Sequence, residues 1–150
     1  MGLHGSLSEV VAGPADSLFG VVSDVDRLPE WNELIQGVVE RPAALTPGAE
    51  WVVELRLMGR RWHSRSRVLD YDAAARRFEY RTQTDDGNPS WAIWTWTVDD
   101  DPGGARVTVS WDLCPQTFWR RVLLVRVRHR QLRHEVAASI AAAQRAAVAS

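Results

Sequence analysis

The feature that most constrains this chain is a single change in hydrophobic period. From about residue 35 to residue 113 apolar side chains recur at every second position, whereas from Gln116 onward they recur at helical spacing with neither proline nor glycine between them. A series of half-buried strands followed by one long helix fits both periods. Turn signals at Pro47-Gly48, Met58-Gly59, Asp72-Ala73, Asp85 to Pro89 and Asp99 to Gly104 divide the first region into six strands. In Glu50 to Leu57, the set Trp51, Val53, Leu55 and Leu57 alternates with Glu50, Val52, Glu54 and Arg56. In Arg77 to Thr84, Phe78, Tyr80, Thr82 and Thr84 alternate with Arg77, Glu79, Arg81 and Gln83. One sheet face is thus apolar and the other solvated.

The remaining strands follow the same logic. Trp94, Trp96 and Val98, and then Val107, Val109, Trp111 and Leu113, are expected on the inner face. Between 62 and 69 the choice lies between Trp62, Ser64, Ser66, Val68 and His63, Arg65, Arg67, Leu69. Burying two arginines is costly, so the Trp-Ser-Ser set is placed inside. Upstream, Ser6 to Val11 reads as a strand and Gly13-Pro14-Ala15-Asp16 as a helix start. That helix carries Leu18, Phe19, Val21, Val22 and Val25 and is expected to break at Leu28-Pro29, before a short helix or turn through Glu30-Trp31-Asn32. In the final segment Phe118, Val122, Val125, His129, Leu132, Val136, Ile140, Ala143 and Ala147 share one stripe, tapering from large side chains to alanine. The expected fold is α+β: a curved antiparallel sheet of about seven strands, in the order β-α-α-β6-α, around a long C-terminal helix, with 1–150 as one domain.

Composition removes several functional classes. A length of 150 residues with 45% hydrophobic content supports one domain with a real core. No apolar run approaches the roughly 20 residues that span a bilayer, and no signal pattern opens the chain, so a cytoplasmic protein is expected. The lone Cys114 excludes an internal disulfide and has no base beside it in sequence. All 18 basic residues are arginine, which excludes a lysine Schiff base or a phosphate-loop lysine. His4, His63, His129 and His134 are scattered, and neither metal nor cofactor is expected. The net charge of −1 divides into −7 for residues 1–115 (11 Arg, 18 acids) and +6 for 116–150 (7 Arg, one acid).

The order of elements, together with Asp24-Val25-Asp26-Arg27-Leu28-Pro29-Glu30-Trp31, Pro14-Ala15-Asp16 and Gly104-Ala105-Arg106-Val107-Thr108, resembles the START-like (SRPBCC) superfamily, specifically its polyketide cyclase/dehydrase-type members. The resemblance covers almost the whole chain and implies a helix-grip fold with a cavity between sheet and long helix. Such cavities serve variously to bind lipids, hormones and polyketides, to cyclise and aromatise polyketide chains, or to regulate partners. The motifs mark fold rather than reaction, and no universal catalytic residue carries over from them.

The residues themselves point to a ligand class. Eight tryptophans stand against three Phe and two Tyr. Trp51, Trp62, Trp94, Trp96 and Trp111, each with a large apolar surface and one N–H donor, would suit a flat, oxygen-bearing aromatic or polyketide-like ligand. Ser64, Ser66, Tyr80, Thr82 and Thr84 add hydroxyls to the same wall. His129, the one titratable group on the helix stripe, is the candidate general acid or base for an aldol cyclisation, with Tyr80 donating to a carbonyl oxygen. Core packing is the competing reading for every one of these residues. Arg120, Arg121, Arg126, Arg128, Arg130 and Arg133 surround Leu123, Leu124 and Val127 on the opposite side of the helix. That patch is a candidate surface for a homodimer, an acyl carrier protein or an anionic membrane. Nucleic-acid binding is not expected, because the rest of the domain is acidic and offers no stacking platform.

Overall fold

The computed structural model describes residues 3–84, 90–114 and 125–149, with the backbone alone described at 3 and 125–130. In chain order these form β1 (Leu3–Val11), α1 (Ala15–Val22), a 3-10 turn (Val25–Arg27), α2 (Leu28–Trp31), β2 (Ile35–Glu40), β3 (Glu50–Leu57), β4 (Arg60–Asp72), β5 (Arg77–Thr84), β6 (Trp91–Asp101), β7 (Gly104–Cys114) and α3 (Val125–Val148). The seven strands make one antiparallel sheet in the order β1-β7-β6-β5-β4-β3-β2. The antiparallel sheet and long C-terminal helix expected from the period change are present, in the helix-grip arrangement that the resemblance implies. Among the described residues no helix is long and apolar enough to cross a membrane.

Local chemistry explains the turns. Met58 (φ 52°) and Gly59 (φ 79°) close the β3–β4 hairpin with two left-handed residues between the paired Leu57 and Arg60, the geometry whose twist matches the flanking strands. Between β6 and β7 the Gly103 N–H donates to the Asp101 carboxylate at 2.9 Å, and Gly104 takes φ +133°. A Cβ on Gly104 would lie 2.3 Å from the Val11 carbonyl oxygen, so only glycine lets β1 end against this turn.

Three details depart from the sequence expectation. First, α1 stops at Val22 instead of running to Leu28-Pro29. Ser23 Oγ donates to the Phe19 carbonyl at 2.6 Å and the Asp24 carboxylate accepts from Asp26 N–H at 3.1 Å, which ends one helix and caps the next turn. Pro29 then falls in the first turn of α2, where its missing N–H is no loss. Second, Val52, assigned to the solvated set, is buried. It stands in register between Glu40 and Arg65, whose ion pair at 3.3 Å shelters it on the convex face. Third, Leu57, assigned to the inner set, is 49% exposed because it lies at the end of the sheet.

The core lies between the concave sheet face and the helices. Leu132, Val136, Ile140 and Ala143 of α3 are buried, as the stripe predicts, and α3 packs against β1, α1 and α2. Its C-terminal end is fastened twice. Arg27 forks onto Glu30 at 2.9 and 3.0 Å and also donates to the Ala146 carbonyl at 3.1 Å, and Gln144 donates to the Ala12 carbonyl at 3.3 Å. Arg27 and Glu30 of the hairpin motif are thus structural. Phe118, Val122, Leu123, Leu124, Arg120, Arg121 and the turn at 85–89 lie outside the described residues, as do the side chains of Arg126, Val127, Arg128 and Arg130.

Candidate functional site

Strand register assembles the concave face in rows, since residues directly opposite each other in antiparallel strands point to one side. Phe78, Trp96, Val109 and Leu7 form one row; Val68, Tyr80, Trp94, Trp111 and Gly5 form the next; Trp51, Ser66, Thr82, Ala92 and Leu113 the third. Beyond them lie Val53, Ser64 and Thr84, then Leu55 and Trp62. All five inner tryptophans and all five hydroxyl residues of the expected wall therefore share this face.

They do not share an environment. Trp51 (2% exposed), Trp96 (3%) and Trp111 (0%) bury nearly all their surface against protein atoms. Trp51 packs on Phe78 and Tyr80 at centroid distances of 5.8 and 5.1 Å, and Trp96 meets Trp31 of α2 edge-on at 5.2 Å. Trp111 lies against Gly5, with the Arg133 guanidinium 5.9 Å from its ring centre. Trp62 and Trp94 are half-buried, as are Leu55, Tyr80, Thr82, Thr84, Ala92 and Leu113. The face is consequently sealed toward α1 and α2 and more open toward the β3–β4 end.

The inner hydroxyls differ from those outside. On the convex face Ser6 meets Ser110 at 3.3 Å, Ser8 meets Thr108 at 3.0 Å, and Thr95 donates to Glu79 at 2.8 Å. On the concave face Ser64 and Ser66 are buried and Thr82 half-buried, yet none of the three makes a side-chain hydrogen bond among the described residues, although Ser66 and Thr82 stand directly opposite each other. Sheltered hydroxyls without a partner among the described residues are free to meet a water or a ligand oxygen. Tyr80 adds a donor: burial pushes its phenol up to about 12, and the Trp96 indole N–H, whose geometry falls short of a hydrogen bond to any described group, only slightly offsets this. Like any tyrosine, Tyr80 holds its proton at neutral pH and can donate a hydrogen bond; burial extends that protonated state into the alkaline range.

His129 belongs to α3, but its side chain lies outside the described residues. Cys114 sits on the convex side opposite Trp91, its thiol pushed up by burial and by Asp112, which makes it a poor nucleophile. Among the described residues no group of three metal-ligating side chains occurs. A second concavity of about 380 Å³ lies elsewhere, between the end of α1, the 3-10 turn, the β2–β3 connection and Tyr71. It is lined by Asp24, Asp26 and Arg41, the latter two paired with each other, and it adjoins the concave face through Tyr71, which stands opposite Phe78. Within the Asp24-to-Trp31 segment, Asp24 lines this groove and Trp31 is core.

Solved structures of similar shape cover nearly the whole chain. Ara h 8.0201 aligns with a TM-score of 0.79 at 15% identity over 100% of both chains. The Zhui aromatase/cyclase from Streptomyces sp. R1128 aligns at 0.77 and 16% identity over 98% of this chain and 94% of that one. Protein CV1439 from Chromobacterium violaceum aligns at 0.73 and 18% identity, over 94% and 96%. At such identities the likeness establishes the fold. No curated protein matches the sequence. The family model described as polyketide cyclase / dehydrase and lipid transport matches residues 3–146, the span that builds the sheet, its helices and the concave face, and the chain belongs to that family.

Proposed function

We propose that this protein binds a hydrophobic, oxygen-bearing aromatic or polyketide-like small molecule on the half-buried part of the concave face. The observation that carries the reading is the set of sheltered hydroxyls of Ser64, Ser66 and Thr82 without partners among the described residues, flanked by the half-buried indoles of Trp62 and Trp94 and the protonated phenol of Tyr80. Apolar walls with a few placed donors and acceptors are the usual make-up of a small-molecule site. Trp51, Trp96 and Trp111 act as the packed floor. Tryptophan fluorescence during titration with hydroxylated anthraquinones tests this. A saturable change, reduced in Trp94→Phe, is expected; a protein that stays unresponsive across such ligands would refute it.

A second reading, an aldol cyclase or aromatase, rests on the place of Tyr80 on the concave face between Val68 and Trp94, where its phenol would donate to an enolate oxygen, with His129 moving the proton. The Zhui aromatase/cyclase shares the fold. Turnover of a carrier-bound poly-β-ketone that is lost in His129→Ala supports it; no turnover by the native protein argues against it.

A further inference from the structure

We propose that the β3–β4 hairpin, from Arg56 to Arg61, docks the protein on an anionic phospholipid bilayer. Met58 at its tip is 93% exposed and the neighbouring Leu57 49%. Arg56, Arg60 and Arg61 surround them, all exposed.

Folding does not account for this arrangement. The two-residue turn holds Met58 and Gly59 at positive φ, a geometry for which Asn-Gly or Asp-Gly is the favoured sequence. Methionine there takes a backbone conformation it resists and buries almost nothing. Arg56 and Arg61 stand directly opposite each other, a like-charge pair that weakens the hairpin. Among the described residues Glu54, 3.9 Å from Arg61, is the only acid within ion-pair reach of the three arginines.

An apolar tip inside a ring of cations matches the boundary between acyl chains and anionic headgroups. The Met58 thioether and Leu57 would enter the hydrocarbon edge while the guanidinium groups meet phosphates. Two side chains on a projecting turn offer far less than the roughly 1,000 Å² a stable protein interface buries, whereas a bilayer accepts a wedge of this size. Leu57 continues the inner face through the paired Leu55 and Trp62, so docking would turn the more open end of the concave face toward the membrane. The inference does not depend on what that face binds.

Met58→Asn separates docking from folding, because asparagine fits the turn better than methionine does. In co-sedimentation with vesicles of phosphatidylglycerol and phosphatidylcholine, the native protein should bind at low salt, release as salt rises, and ignore vesicles of phosphatidylcholine alone. Met58→Asn should lower the partition coefficient about tenfold or more with Tm unchanged or raised. Arg56→Gln and Arg60→Gln should each lower it roughly fivefold. The proposal is overturned if the native protein does not bind the anionic vesicles. It is equally overturned if Met58→Asn binds as tightly as native, which would assign the contact to the basic C-terminal segment. A change of oligomeric state in Met58→Asn, seen by sedimentation velocity without vesicles, would make the tip a protein contact and also overturn it.

Discussion

Replacing Gly5 by alanine sets one methyl group against the most enclosed aromatic ring of the protein. The new Cβ would lie 2.4–2.5 Å from Cε2, Cζ2 and Nε1 of Trp111, where an ordinary carbon contact is ~3.5–4.0 Å. The ring would have to retreat by about 1 Å. It is fully buried, with Trp94 at a centroid distance of 6.2 Å and Arg133 over it, so the retreat displaces neighbours. Overpacking of this kind costs roughly 1–3 kcal/mol. Alanine recovers up to about 1 kcal/mol of that in a strand, because it has less conformational freedom to lose than glycine. The net expectation is a loss of about 1–2 kcal/mol, or a Tm lower by ~3–8 °C for a chain of this length. Urea unfolding should show a lower midpoint at unchanged slope. Trp111→Phe leaves a smaller ring with room to retreat from the new methyl group, so the double variant should be less destabilised than the sum of the two single variants by at least ~0.5 kcal/mol. A Gly5→Ala protein as stable as native, or strict additivity with Trp111→Phe, would refute the seating of Trp111 on β1.

Three further outcomes follow from the site. Ser66→Ala should leave the ligand-free protein as stable as before or more stable, by up to about 1 kcal/mol, since it deletes the hydroxyl of a buried residue that has no described partner; a loss above 1 kcal/mol in thermal melts would reveal a bond to that oxygen. Trp51→Ala should remove ~3–5 kcal/mol, as expected for a fully packed indole, whereas the half-buried Trp62→Ala should cost less than about 2 kcal/mol; equal losses in denaturant unfolding would contradict the division into floor and wall. Between pH 10 and about 12 the folded protein keeps the Tyr80 proton that the unfolded chain releases, so the native state binds more protons there and stability must fall as pH rises, by up to roughly 2–3 kcal/mol. Tyr80→Phe should abolish that part of the fall, and superimposable pH–stability curves for the two proteins would count against it.

The strand region was legible because period-two alternation states which side chains share a face, and turn residues state where strands end. Even the ambiguous 62–68 segment resolved correctly, since two buried arginines have no compensation. Alternation does not report how deep a residue sits. Trp51 and Leu57 belong to the same set, yet one is core and the other half in solvent, because depth depends on where helices cover the sheet. Val52 departs from its solvated set for a related reason, its burial coming from the ion-paired Glu40 and Arg65 on the two flanking strands. Gly5 carried no signal of its own, because its role appears only once β1 is paired with β7. Proline marks a stop for α1 at Leu28-Pro29, but the Ser23 hydroxyl bonding back to Phe19 ends that helix earlier, at Val22.

Calorimetric titration of a dihydroxyanthraquinone into the native protein and into the Ser66→Ala/Thr82→Val variant tests the central claim most directly. The account predicts saturable one-to-one binding to the native protein. It predicts affinity about tenfold lower in the variant, for two hydrogen bonds of about 0.5–1.5 kcal/mol each, with no loss of Tm. Absence of saturable heat, or equal affinity in the two proteins, would contradict it.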